Sequence, residues 1–473
     1  MDSNLKLFLS VIAGTSLIFA GCSNDNEVPP VENLTVVEEG NVLPVQKIES
    51  TQPTAILGAG GSMSEQLSNT FTNIVEPNKA KHVIVACQDL DTYEDEIVAA
   101  YQRGIIITIV DPVGSKLEDW CSAKGIIYAG DPMSIDRSAL ISFNRKAVSM
   151  SVHKKNKGEE IGEEEVPMVI FKDWLDNILT PNLKGPDLRS RDLKKRIAPQ
   201  RVSHVFPISI PASSINESGW GIPESISLNS TAELACDIYQ MHSFAENTSF
   251  FGDIYIVEAQ LTIHNGNLYN GKWQYSQGGK QYESRGFCLS DCNFGVSLHE
   301  RIPSGLIHSG KHFCIGGPAP QSAEVSSSLQ TGLEWSFDGW ISGGNGLESA
   351  TPIPLQYGGW TWNNLTETSS AVMDISSMNE GGDVLWTLVV PEDGNEATGD
   401  MTFRCTWIWG LPQATDDSDD RYYMQINLSP LYSWTRSLLS GKQIENKVIP
   451  ADAPSACFML IPPSRIEGQR VDL

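Results

Sequence analysis

Positive charge is scarce in this chain. Its 473 residues carry 33 Lys plus Arg against 58 Asp plus Glu, a formal net charge of -25, with an isoelectric point near 4.7. Without a basic field to neutralise phosphates, nucleic acid is excluded as a partner. Catalytic patterns are missing too: neither a nucleophile elbow nor a zinc-protease motif occurs. Glu163 and Glu164 sit in the charge run "HKKNKGEEIGEEEVP", where solvation explains them better than acid and base catalysis does. His308 and His312 in "HSGKH" have the spacing of helical metal ligands, but they lie in a glycine-containing loop beside Cys314. That context points to a turn with exposed histidines rather than a metal site. No catalytic constellation is left, so the expectation is a protein that is not an enzyme and that uses no cofactor and no metal.

Long apolar runs are also rare. The run from Leu7 to Phe19, after Lys6, is too short to span a bilayer and is followed by polar chain, which marks residues 1–21 as a secretory signal. The ending "IFAGC" resembles the lipobox of bacterial lipoproteins, which implies cleavage before Cys22 and lipid attached to it. The "CSNDNE" that follows resembles an export signal of lipoproteins that reach the cell surface. The expected location is therefore outside the cell or anchored at a bacterial outer membrane, not spanning it. With Cys22 set aside, Cys87, Cys121, Cys236, Cys288, Cys292, Cys314, Cys405 and Cys457 remain. An even number in an oxidising compartment suggests some disulfides, although a chain of this size also folds with buried free thiols.

At this length at least two domains are expected. A polar tether over 22–52 leads to "TAILGAGGSMSEQLSNTFTNIV", which reads as strand, glycine turn and helix. The apolar runs at Val83 to Ala86 and Ile105 to Val110, separated by helical patterns, argue for buried parallel strands and an α/β domain over 53–150. The loop "GAGGS" from Gly58 to Ser62 matches neither a dinucleotide fingerprint nor a P-loop, and a tight turn is favoured over a phosphate cradle. Asp89, Asp91 and Asp111 follow the expected strands, where α/β ligand sites lie. Residues 151–205 read as a charged linker, with Lys194, Lys195 and Arg196 as a site for trypsin-like cleavage. From 206 to 473 the pattern is short alternating strands between Gly, Asn, Ser and Pro turns, the signature of an antiparallel β-sandwich. The fold class expected is α+β and multidomain.

One stretch departs from ordinary sandwich strands. From Val325 the apolar residues Leu329, Leu333, Trp335, Phe337 and Ile341 fall on odd positions, while polar residues occupy most even ones. Side chains alternate along a strand, so one face is apolar and the other polar. Leu333 to Ser342 alone has the ~9 to 11 residues of a tilted transmembrane strand. After "GGNGLESATPIP" the return strand carries Trp360 and Trp362 on even positions but Leu365, Ala371, Met373 and Ile375 on odd ones, a phase switch that calls for a bulge near Asn363 and Asn364. A single hairpin cannot close a barrel, so several copies would each contribute one.

The run "LEWSFDGWISGGNG...LQYGGWTWNNLTETSSAVMDIS...VLWTLVVP", with "IYIVEAQLTIHNGNLYNGKWQYS" before and "ATGDMTFRCTWIWGLPQ...DDRYYMQINLSP" after, resembles the leukocidin and hemolysin family of β-barrel pore-forming toxins over roughly residues 225 to 440. The resemblance implies a β-sandwich cap, a membrane-touching rim and a stem hairpin over 325–375. It also implies homo-oligomers on a target membrane, with lipids or glycans as partners. Candidate rim loops are "GFCLSDCNFG", "LIHSGKHFC" and "WGLPQATDDSDD". A lipid on Cys22 and an α/β module in front depart from the usual family chain, and cleavage at "DLKKR" would release the pore-forming part from both. The rival expectation is a surface glycan-binding lipoprotein whose Trp273, Trp360, Trp362, Trp407 and Trp409 stack on sugar rings. Trp407 and Trp409 are the candidates for membrane or glycan contact.

Overall fold

In the computed structural model the described residues are 29–38, 48–58, 61–128, 135–154, 166–179, 198–210, 220–222, 229–242, 253–265, 268, 271–302, 305–314, 318–319, 322–323, 329–331, 334–336, 340–341, 353–354, 361–363, 366–368, 374–380, 382–390, 400–411, 422–441 and 444–462. Cys22, Lys194, Lys195, Arg196, Leu333, Phe337 and Trp360 lie outside them. The fold is α+β: two large sheets, a few helices and a separate β ribbon.

A mixed ten-stranded sheet runs the length of the described structure. It begins with the buried runs β2 (Thr54–Leu57), β3 (His82–Ala86) and β4 (Ile106–Val110). These strands pair in parallel. Both faces of such strands are covered, which is why their sequences are continuously apolar rather than alternating. Helices α2 (Glu94–Gln102) and α3 (Gly114–Ala123) place Ile97, Ala100, Leu117 and Trp120 on one face. On the other face α1 (Ser64–Thr70) and α4 (Val166–Leu179) place Leu67, Phe171 and Trp174. The sheet continues through β5 (Ser138–Phe143) and β6 (Val148–His153).

There it does not stop. β6 pairs in parallel with β7 (Gln200–Ser209), and the same sheet goes on through β8 (Asn229–His242), β9 (Asp253–His264), β23 (Met401–Leu411) and the short β13 (Phe313–Cys314). The stretch 151–205, read from sequence as a charged linker, thus contains the end of β6, all of α4 and the first half of β7. The apolar face of "VPMVIFKDWLDNIL" accounts for α4, because it buries Phe171 and Leu175 completely.

The second ten-stranded sheet faces the far half of the first. Its spine is the 23-residue β11 (Lys280–Ile302) against β24 (Tyr422–Leu438). Around them stand β1 (Val31–Glu38), β10 (Lys272–Gln277), β12 (Gly305–His308), β14 (Ser322–Ala323), β21 (Asp374–Glu380), β22 (Asp383–Val389), β25 (Ile444–Pro450) and β26 (Ala456–Met459). β1 comes from the part read as tether and pairs with β10 at the sheet edge. Here the strands alternate inward and outward, and the inner face supplies Trp273, Trp386 and Trp434, which meet Trp407 and Trp409 of β23 from the first sheet, all fully buried. Each such side chain contributes ~1.5–3 kcal/mol or more by leaving water.

None of the eight cysteines from Cys87 to Cys457 is in a disulfide. The expected disulfides are absent among them. Seven are buried in the cores and Cys288 is half-buried, so they act as small apolar side chains.

Candidate functional site: the hairpin and its root

Beyond Ala323 the chain forms a ribbon of six short strands: β15 (Leu329–Thr331), β16 (Glu334–Ser336), β17 (Trp340–Ile341), β18 (Ile353–Pro354), β19 (Thr361–Asn363) and β20 (Thr366–Thr368). Among the described residues they pair only with one another, β15 with β20, β16 with β19 and β17 with β18. Leu329 stands opposite Thr368, Trp335 opposite Trp362 and Ile341 opposite Ile353. Four of the seven stem residues singled out from sequence, Leu329, Trp335, Ile341 and Trp362, have positions on this ribbon, with Leu333, Phe337 and Trp360 outside the described residues.

The register answers the phase problem differently from the sequence. The described pairs from Leu329/Thr368 to Thr331/Thr366 and from Glu334/Asn363 to Ser336/Thr361 keep one register, so no net slip separates them near Asn363 and Asn364. At the root Ala323 pairs with Ile375, odd with odd, whereas in the ribbon Trp335 pairs with Trp362, odd with even. The one-residue slip therefore falls between Ala323/Ile375 and Leu329/Thr368. A second irregularity separates Ser336/Thr361 from Trp340/Pro354. A one-residue slip exchanges the faces of one strand relative to its partner. It brings the even-numbered Trp362 onto the same face as the odd-numbered apolar positions of the outgoing strand, since directly opposed residues share a face.

At the root, both chain ends of the hairpin meet one carboxylate. Asp383 opens β22, just after the return strand β21. It takes a hydrogen bond from His308 Nε2 at 2.6 Å and one from His312 Nε2 at 2.9 Å. His308 ends β12, on the segment that leads into the hairpin. His312 is buried against Trp409, with ring centroids 5.1 Å apart, so the expectation of two exposed histidines holds for His308 alone. Gly382 approaches so closely that a Cβ would lie 2.8 Å from the His312 carbonyl oxygen, and its φ is +95°. Burial, reinforced by His308, pushes the nearby His299 below the usual imidazole range. Among the described residues no group of three or more His, Cys, Asp or Glu is placed to hold a metal.

Trp407 and Trp409 are not contact residues. Both stand on inward positions of β23 with no exposure, and Trp409 Nε1 donates to the Gly382 carbonyl at 2.8 Å. Trp273 is equally buried, so three of the five tryptophans offered as a sugar platform are core. The alternation of Phe403, Cys405, Trp407 and Trp409 already put them on one strand face, and that face is the inner one.

In the α/β layer the loop after β2 includes residues 59 and 60, which lie outside the described residues. Gly58 has φ +73°, and a Cβ there would lie 2.7 Å from Asp89 Oδ2. Ser62 turns its backbone N–H and its hydroxyl onto Asp111, at 2.8 and 2.7 Å. Both Ser62 donors are thus taken up by the protein's own carboxylate.

With this geometry in view, comparison with known proteins adds little. No family model matches the chain, and no curated protein does. Its structural neighbours are pore-forming proteins. One, described as a pore forming protein, has 7% identity and a TM-score of 0.30, covering 55% of this chain and 90% of its own. Another, the Clostridium perfringens NetB toxin in its membrane-inserted form, has 10% identity and a TM-score of 0.21, covering 54% and 95%. Overlaps this shallow leave the functional argument to the hairpin itself.

Proposed function

We propose that this protein forms β-barrel pores, several copies each contributing the hairpin between Leu329 and Thr368 to one transmembrane barrel in a target membrane. The observation that carries the reading is the ribbon: among the described residues it pairs only with itself, and its sequence alternates apolar and polar residues. At ~3.4 Å per residue an extended arm from Leu329 to Ile341 spans about 40 Å, and a ~45° tilt leaves about 30 Å along the membrane normal, the thickness of a hydrocarbon core. A lone ribbon has unpaired edges that lipid does not tolerate, so closure requires neighbouring copies. A lipid on Cys22 would hold the chain at the surface of the cell that makes it.

The test uses the full-length chain on dye-loaded liposomes, with electron microscopy of the same samples. Rings accompanied by leakage are expected. Trp335→Glu, on the face read as lipid-facing, should abolish leakage, since a charge there costs ~2–4 kcal/mol per subunit at the bilayer midplane and somewhat less for an acid. Ser336→Glu, one position along and on the opposite face, should retain it. Equal leakage from both variants, or binding without rings on every membrane tried, would overturn the reading.

A further inference from the structure

The α/β layer and the sandwich are joined where β6 meets β7, through the pairs Val148/Arg201 to Val152/Val205. Two histidines lie buried in that seam. His153 and His204 are 8% and 1% exposed, and their ring centroids are 4.4 Å apart, edge to face. His204 Nδ1 bonds Ser151 Oγ at 2.5 Å. Its ring also meets Phe206 at 4.4 Å and, across from β26, Phe458 at 6.0 Å. Among the described residues the Nε2 of each histidine has no hydrogen-bond partner.

The surroundings are arranged against a charge. Burial first, then Arg137, pushes His153 down to about 4. Burial first, then His153, pushes His204 well below its ordinary value. On the turn before β5, Arg137 is a cation, and Asp136 uses its carboxylate to accept the Gly114 amide at 2.7 Å. Lys154, next to His153, adds a second cation, with its Nζ on the Asp136 carbonyl. β7 presents Phe206 and β26 presents Phe458, both apolar. Among the described residues no carboxylate acts on either ring, so an imidazolium set among them would be buried, unpaired and beside other cations. The cores on the two sides meet at few places: Val205 is the one β7 residue in the α/β cores, and Ile127 and Ala147 pack on a small cluster that holds Met459 and Ile461.

We propose that the β6–β7 seam is an acid-sensitive joint, at which proton uptake by the His153–His204 pair loosens the α/β layer from the sandwich. Both histidines have folded-state values below the ordinary imidazole value of 6.5. Their contribution to stability is therefore complete above about 6.5 and is lost as the pH falls toward about 4. His82 is also buried and depressed, to about 3, but it lies in β3 and bonds Thr108 at 2.7 Å. Its titration would weaken the α/β layer rather than the seam. The inference does not depend on the pore-forming reading.

Hydrogen exchange measured by mass spectrometry on the intact chain at pH 7.5 and pH 5, corrected for intrinsic rates, tests it. Amides of β6, β7 and β26 should lose protection at least about tenfold at the lower pH, the equivalent of one pH unit of linkage. Those of β9 and β23 should not. His153→Gln and His204→Phe should flatten that response. A seam equally protected at both pH values, or one that opens only together with β9 and β23, would overturn the proposal, as would variants that keep the full response. Should the variants fail to fold, the wild-type comparison between strands decides alone.

Discussion

Trp409 illustrates what a single side chain holds together in this molecule. It fills the sandwich core, packs on Trp407 and His312, and donates its indole N–H to Gly382 at the hairpin's root. Trp409→Ala is expected to cost ~3–5 kcal/mol of unfolding free energy, the range for removing a large buried aromatic, with denaturant unfolding as the measurement. A surface sugar-stacking residue would instead lose glycan retention with its stability nearly unchanged. The thiols make a second test at this scale. Burial pushes Cys121 and Cys292 up to about 12, with small further contributions from neighbouring charges. In native protein at pH 8, a thiol reagent should therefore label Cys288 and, where its sulfur is free, Cys22, with the others reacting only on denaturation. Reductant should leave the melting temperature unchanged. A melting point that drops under reductant would mean that disulfides form after all.

Among elements, the turn between β21 and β22 is the most constrained. Gly382→Ala places a Cβ against His312 at a positive φ, and an expected loss of ~1–3 kcal/mol follows from the backbone alone. Asp383→Asn removes the charge that both His308 and His312 address, at a cost of ~1.5–3 kcal/mol if the bonds to the carboxylate are charge-assisted. Thermal unfolding of the two variants checks both figures, and either variant melting with wild type would show that the turn is not a determinant of the root. None of this was legible in the sequence, because "HSGKH" and "GGDVLW" become neighbours only through the pairing of β11 with β12 and β22. What was legible is local. Runs such as "HVIVA" announced parallel strands through their continuous apolarity, and "DIYIVEAQLTIH" announced an alternating one. The phase switch in the hairpin was visible too, yet its place was not, since register belongs to a pair of strands and not to either one. α4 escaped notice because its apolar face follows directly on the charge run.

For the whole molecule, the decisive relation is between the two halves of the long sheet. β6 and β7 are consecutive strands of that sheet separated by α4 and the stretch outside the described residues that holds Lys194, Lys195 and Arg196. The connection is long range, so no local pattern betrayed that the α/β layer and the sandwich share a sheet. Nicking at Lys194–Arg196 would therefore cut the chain without undoing the contact. The pieces would still share the β6–β7 pairing, and each of its backbone hydrogen bonds contributes ~0.5–1.5 kcal/mol net. They would also share the pairing of β1 with β10, the packing of Ile127 and Ala147 on the cluster that holds Met459 and Ile461, and the Arg301–Glu118 ion pair at 3.0 Å. What the cut removes is the effective concentration supplied by the connecting chain, of order millimolar for a flexible link. After limited trypsin treatment at pH 7.5, both fragments should elute together in size exclusion and separate only in denaturant. Release of a free sandwich at neutral pH would show instead that the connecting segment, and not the shared sheet, keeps the halves together. If the halves stay joined at pH 7.5, lowering the pH of the nicked protein gives a view of the seam, because with the connecting chain cut the pieces are held by non-covalent contacts alone, the β6–β7 pairing among them.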